Sequence, residues 1–252
     1  MSLETVDRKK YNRIKLILSL LSTIIGISFI LAIVLTGFSS ALNRYVESLF
    51  GNIYLQLLCF VIIIGLIENV LTYPLSYYSG FRMEHQYGMS NQSFFQWMKE
   101  NLKGMAVGAV IGLPLLMIFY YCLITFQDNW WLPVAAVFFL FSVLLARVAP
   151  TLIFPLFYKF RPIENESLKN KLIQLCSGVN MKIAGIFEFN MSKTTKKANA
   201  AFAGIGKSKR IILADTLLKN FSEEEIEVVF AHEVGHYYHK HITKSILLSI
   251  VS

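Results

Sequence analysis

Four of the chain's five histidines fall within the run FAHEVGHYYHKH, residues 230–241. His232 and His236 stand one helical turn apart, so on a helix both imidazoles rise from one face at a spacing that suits one shared zinc ion. Glu233 follows His232 with a rotation of about 100°, which places it beside such a metal rather than on it. A carboxylate in that position can take a proton from an attacking water. The pattern therefore predicts hydrolytic zinc chemistry of the zincin type. The competing reading is a solvated helix with incidental histidines. Ala231, Val234 and Gly235, all small or apolar, argue against it because they suit a helix packed closely against neighbours. His239 and His241 flank Lys240 at the edge of an apolar run and read as interfacial residues. The extended zincin signature would need glycine at 239 and histidine at 242, where this chain has His239 and Ile242.

A metal pair needs a rigid helix, and the residues ahead of it specify one. Ser222 and Glu225 fit a Ser-x-x-Glu capping box, and acidic residues fill the first turn, where the helix dipole favours them. Ile226, Val229 and Phe230 predict one buried stripe. Upstream, residues 166–178 (ESLKNKLIQLCSG) space Leu168, Leu172 and Leu175 as an amphipathic helix that ends at a glycine. Residues 183–189 read as a strand. Residues 197–203 and 209–213 read as a hairpin turning at 204–206. The Gly-x-Gly at that turn has no helix following it, so it is a turn and not a phosphate loop.

The rest of the chain belongs in a lipid bilayer. Hydrophobic residues make up 55% of the 252, and mean hydropathy is +0.52, too apolar for an ordinary soluble domain. Four apolar runs, near 14–38, 53–75, 105–124 and 132–154, reach the about 20 residues a spanning helix needs. A fifth begins at 242. The first run is too long for the apolar core of a signal peptide and reads as an anchor. The net charge of +8 comes from Lys and Arg beside the apolar runs, not from a basic stripe with interleaved aromatics, and nucleic acid is excluded as a partner. Cys59, Cys122 and Cys176 are isolated and give neither a disulfide framework nor a thiolate metal site.

Orientation follows the positive charges. Arg8, Lys9, Lys10, Arg13 and Lys15 precede the first span, and the lysine-rich segment 158–240 falls on the same side by alternation, so the histidine helix faces the cytoplasm. Sequons at Asn91, Asn165, Asn190 and Asn220 also fall on that side, out of reach of glycosylation, and read as chance occurrences.

With these motifs in place, the sequence resembles the type I CAAX prenyl endopeptidases, integral-membrane zinc metalloproteases, and their bacterial relatives. The resemblance is carried by Pro74 to Tyr78 with Phe81, Glu84, His85 and Gly88. It continues with Pro155 to Phe157, Phe160 and Pro162, then Asn199, Ala200 and Phe202. It ends with Arg210 to Leu213, Asp215 to Leu217 and HEVGH. It implies a membrane all-α bundle, four spans and the start of a fifth here and seven in all, around a large chamber, with a small α+β zincin-type catalytic domain. It implies His232 and His236 as zinc ligands and Glu233 as general base. It implies one zinc per chain, completed by a glutamate on a downstream helix. No Asp or Glu follows His236 here, so that ligand is expected beyond Ser252. It further implies that the strand at Asn199 and Ala200 pairs with the substrate backbone. Support of the hairpin by Asn199 is the other reading, and both are open. Glu68 and Asn69, deep in the second run, should face protein or a wet cavity, and Arg147 is a potential partner of Glu68.

The expected division is a membrane region over 1–157, a cytoplasmic zinc metalloprotease domain over 158–241, and the start of a fifth span over 242–252. The expected protein is multi-pass, in a bacterial inner membrane or the endoplasmic reticulum membrane. Its expected function is endopeptidase cleavage of prenylated C-terminal or other membrane-associated peptides. Competing functions are a non-catalytic membrane scaffold and a quality-control protease of the heat-shock membrane type. A transporter is suggested by Glu68 alone, without an inverted repeat to support it.

Overall fold

Apolar runs too long for a soluble core become four helices long enough to cross a membrane: Arg8–Leu35, Ile53–Gln86, Phe94–Asn129 and Trp131–Phe157. The computed structural model describes residues 3–179, 181, 183–203 and 210–238. The expected fifth span from 242 lies outside them. The described chain is a mostly helical membrane protein with a small mixed-sheet domain. It forms two units by packing, residues 1–90 with 94–131, and residues 91–93 with 132–252.

In the first unit, α1 (Leu3–Leu35) ends at Gly37, whose φ of 74° is left-handed and turns the chain into α2 (Phe38–Leu49). Asn52 then caps α3 (Ile53–Tyr77) by accepting from the Tyr54 and Leu55 amides. Leu16, Leu20, Ile24 and Leu31 of α1 lie exposed, as lipid-facing side chains do. Glu68 of α3 lies against α1, its carboxylate oxygen 3.3 Å from where a Cβ at Gly26 would stand. It forms no ion pair among the described residues.

The conspicuous motif after the second span is a locking device. α3 passes through a π-helical turn, Tyr78–Arg82, into α4 (Met83–Gln86). The wider turn projects Tyr77 and Phe81 onto Phe94 and Trp97 of α5 (Phe94–Phe126), with ring centroids 5.8–5.9 Å apart. Gly80 makes room, because a Cβ there would approach the Trp97 indole nitrogen to 3.2 Å. Glu84 accepts from the Tyr11 hydroxyl and from Lys15, fastening the start of α1. Gly88, at φ 65°, ends the helix in the left-handed region.

The second unit begins with α6 (Trp131–Val148), a π-helical turn and α7 (Phe154–Phe157). Four strands follow: β1 (Phe160–Pro162), β2 (Gly185–Phe189), β3 (Ala200–Ala203) and β4 (Arg210–Ala214), in the order β1-β2-β4-β3. β2 and β4 run parallel, and the outer pairs are antiparallel. From Ile211 to Ala214, β4 is buried residue after residue, the continuous apolar run of a strand covered on both faces. α8 (Glu166–Gly178) has the bounds predicted for it. It buries Leu168, Leu172 and Cys176, while Leu175 is only partly buried.

Three of the four sequon asparagines have structural tasks. Asn165 caps α8, Asn190 accepts from the Lys159 amide, and Asn91 donates to the Ser192 carbonyl.

Candidate functional site

The histidine helix is α10 (Glu223–Tyr238), preceded by the short α9 (Asp215–Asn220). Its start is as specified as the sequence predicts. The Ser222 amide donates to the Glu225 carboxylate at 2.9 Å, and the Glu225 amide donates to the Ser222 hydroxyl at 3.3 Å. These two bonds make the reciprocal capping box.

Glu223 adds a second anchor that pattern reading did not find. It accepts from Asn165 at 2.8 Å and Ser167 at 2.9 Å, at the head of α8, and from Lys171 at 3.0 Å, further along it. These donors, Asn165 first, hold its carboxyl down at about 2, from an ordinary 4.5. A depressed carboxylate stabilises the fold above its ordinary pKa and loses that contribution as pH falls toward the folded value. Glu223→Gln should therefore lower the melting temperature at neutral pH, with the gap closing between pH 4.5 and about 2. Thermal melts across that range check it. A gap independent of pH would show that helix propensity, not charge, is at work.

α10 seats on the core through Ile226, Phe230 and Val234, which are 2%, 1% and 5% exposed. Val229 departs from the predicted stripe at 39% exposed. Positions spaced by four form the seam, and Val229 falls about 60° to one side of Phe230's neighbour stripe residue Ile226. Ala231 is also exposed, and a Cβ on Gly235 would meet nothing within 4 Å among the described residues. Of the three small or apolar residues, Val234 alone is packed as expected.

At about 100° per residue, positions 232 and 236 share the face of α10 turned away from the seam. His232 is exposed there. The side chains of Glu233 and His236 lie outside what the structure describes, as do His239 and His241 entirely, while α10 carries the backbone of 232–236 as uninterrupted helix. Two imidazoles one turn apart on a regular, doubly anchored helix are a donor set that fits zinc.

α10 packs against β3, and β3 pairs with β4 along one side and with no strand along the other among the described residues. Ala200 faces Leu213 in that register, and the Asn199 carbonyl accepts from the Ala214 amide at 2.9 Å. The structure thus brings the helix of His232 and the free edge at Asn199 and Ala200 together. Three further residues tie the connection ahead of β3 to the end of β4: Ser192, Asp215 and Thr216. Asp215 and Thr216 lie in the stretch that carries the resemblance, whereas Ser192 has no sequence signal.

A CAAX prenyl protease N-terminal family, described as having five membrane helices, matches residues 1–159, and peptidase family M48 matches residues 162–252. Four helices in the described residues are long enough to span; α2, at 12 residues, reaches only about 18 Å. The "uncharacterized metalloprotease YhfN" of Bacillus subtilis is 29% identical over 95% of this chain and 56% of its own. "CAAX prenyl protease 1" of Saccharomyces cerevisiae is 32% identical over 77% of this chain and 43% of its own. The crystal structure of S. mikatae Ste24p matches with a TM-score of 0.84 at 30% identity, covering 95% of this chain and 57% of that one. The chain spans about half the length of these relatives. On these matches and on its own motifs, the chain belongs to peptidase family M48, with the CAAX prenyl proteases and their bacterial relatives.

Proposed function

We propose that this chain is the N-terminal and catalytic-helix part of a multi-pass membrane zinc endopeptidase whose active site faces the cytoplasm. The observation that carries the reading is a histidine helix, capped and anchored at its head, packed against a strand with a free edge. His232 and His236 hold the metal, and the downstream glutamate expected beyond Ser252 completes its protein ligands. Zinc, when bound, supplies Lewis-acid polarisation of the scissile carbonyl. Glu233 takes a proton from the attacking water as its oxygen bonds to the carbonyl carbon. The same carboxyl then gives that proton to the departing amine nitrogen as the C–N bond breaks. The edge of β3 at Asn199 and Ala200 holds the substrate backbone extended, because main-chain bonds to a sheet edge fix a peptide in register.

The substrate class is C-terminal prenylated or other membrane-associated peptides. Four helices long and apolar enough to cross a membrane support a membrane-associated substrate, and similarity to CAAX prenyl protease 1 supports the prenylated class. The test uses the full-length protein and matched farnesylated and unmodified peptides. Chelation should abolish cleavage of the farnesylated peptide, and added zinc should restore it. Equal cleavage of both peptides would widen the substrate class. Absence of any metal-dependent cleavage would overturn the reading.

A further inference from the structure

The strand assigned to the substrate is held by its ladder with β4 and by small side chains at its head. β3 is four residues long and opens with Ala200 and Ala201, whose side chains are too small to specify register by packing. A slip of one residue would nevertheless turn every side chain to the opposite face. Ties outside the strand can reinforce the register that the ladder sets.

The ten residues joining β2 to β3, 190–199, are tied at three points to three consecutive residues at the junction of β4 and α9. Asp215 accepts from the Ser192 amide at 2.8 Å and from the Ser192 hydroxyl. Thr216 donates its hydroxyl to the Lys197 carbonyl at 2.7 Å. The Ala214 amide donates to the Asn199 carbonyl at 2.9 Å. Asp215 and Thr216 are 5% and 4% exposed, so on their side these part-buried bonds are shielded from water, where an unmade partner is costly. Burial pushes the Asp215 carboxyl up, but the Ser192 hydroxyl and amide, with Lys219 behind them, bring it below its ordinary range. It stays an anionic acceptor at neutral pH.

We infer that Ala214, Asp215 and Thr216 form a bracket that sets the register of the substrate-pairing edge, making Asp215 and Thr216 positioning residues that decide which bond of the substrate meets the metal. The inference rests on the endopeptidase reading for its consequence, though not for the bracket itself.

The test uses full-length, zinc-loaded protein carrying Thr216→Val, Thr216→Ser or Asp215→Asn. Amide hydrogen exchange over residues 200–203, which needs no catalysis, should quicken about tenfold in Thr216→Val, the scale of leaving one buried acceptor unpaired. Thr216→Ser, which keeps the hydroxyl, should restore the native rate. In cleavage assays Thr216→Val and Asp215→Asn should keep one zinc per chain, raise KM about tenfold with kcat little changed, and yield a second product cut at a neighbouring bond. A general loss of stability would lower the melting temperature without moving the cut. Unchanged exchange, KM and cut position in the folded variants would overturn the bracket, as would a Thr216→Ser variant as impaired as Thr216→Val. Altered exchange in a protein whose wild type cleaves no peptide would instead overturn the endopeptidase reading and leave the bracket standing.

Discussion

Glu233→Gln is expected to keep its zinc and lose peptide cleavage by a factor of about 100 or more, the scale of a missing general base. Glutamine preserves the size and shape of the side chain and the helix that carries it, so neither folding nor the imidazole pair is disturbed. What it loses is the capacity to accept a proton from water. Glu233 follows His232 by one residue on α10; under the proposed mechanism it acts as a base and not as a ligand, so in the full-length protein metal content and turnover should separate cleanly. Elemental analysis and a single-turnover cleavage assay on the same preparation measure both. Full turnover in the zinc-loaded variant would remove Glu233 from the mechanism, and loss of zinc would make it a ligand.

The second large effect is on stability. Phe230→Ala should destabilise the sheet-bearing unit by about 3–5 kcal/mol, from lost transfer energy and the cavity left behind. Phe230 is the largest fully buried side chain among the described residues and lies at the centre of the Ile226–Val234 seam. A loss of that size approaches the whole stability of many domains. Because His232 lies two residues further along the same helix, zinc content should fall with it. Val229→Ala is the control. Val229 is 39% exposed, and its truncation should cost less than about 1 kcal/mol. Denaturant melts of the two variants decide between the seams. Equal costs would restore Val229 to the core and overturn the packing described for α10.

What sequence revealed and what it concealed divide along the range of the interactions. The spanning helices, both ends of α8, the Ser222–Glu225 box and the hairpin of β3 with β4 are written in local pattern: hydropathy, caps, alternation and continuous apolar runs. Each is specified within a few residues, so each is legible. The assignment of Val229 to the buried stripe errs in helical phase. Spacings of three and four both satisfy the pattern, and only the packed partners choose Val234 in place of Val229 beside Ile226 and Phe230. Wholly hidden were the polar ties between distant segments. Tyr11 meets Glu84 across 73 residues, Asn165 meets Glu223 across 58, and Ser192 meets Asp215 across 23. Such pairs have no periodicity, and their residue types are ordinary. The histidine spacing and the Ser222–Glu225 cap are the clear features of the candidate site, whereas the distant side chains that tie its helix to α8 and its neighbouring strand to β4 are visible only in three dimensions.

The tie at Asn91 bears on how this protein can be cut and recombined. Residues 91–93 pack with the sheet-bearing unit although the helices on either side of them in sequence pack with the other. Asn91 donates through its side chain to the Ser192 carbonyl at 2.8 Å and through its amide to the Thr194 carbonyl at 3.1 Å. No single scission point therefore separates the protein into two self-sufficient pieces. A soluble fragment expressed as one continuous C-terminal segment would leave the carbonyls of Ser192 and Thr194 without these donors, on the very connection that leads into β3. Chimeras exchanging catalytic portions between relatives would have to transplant the three residues at 91–93 along with the sheet, or match a foreign loop to a connection it did not evolve with.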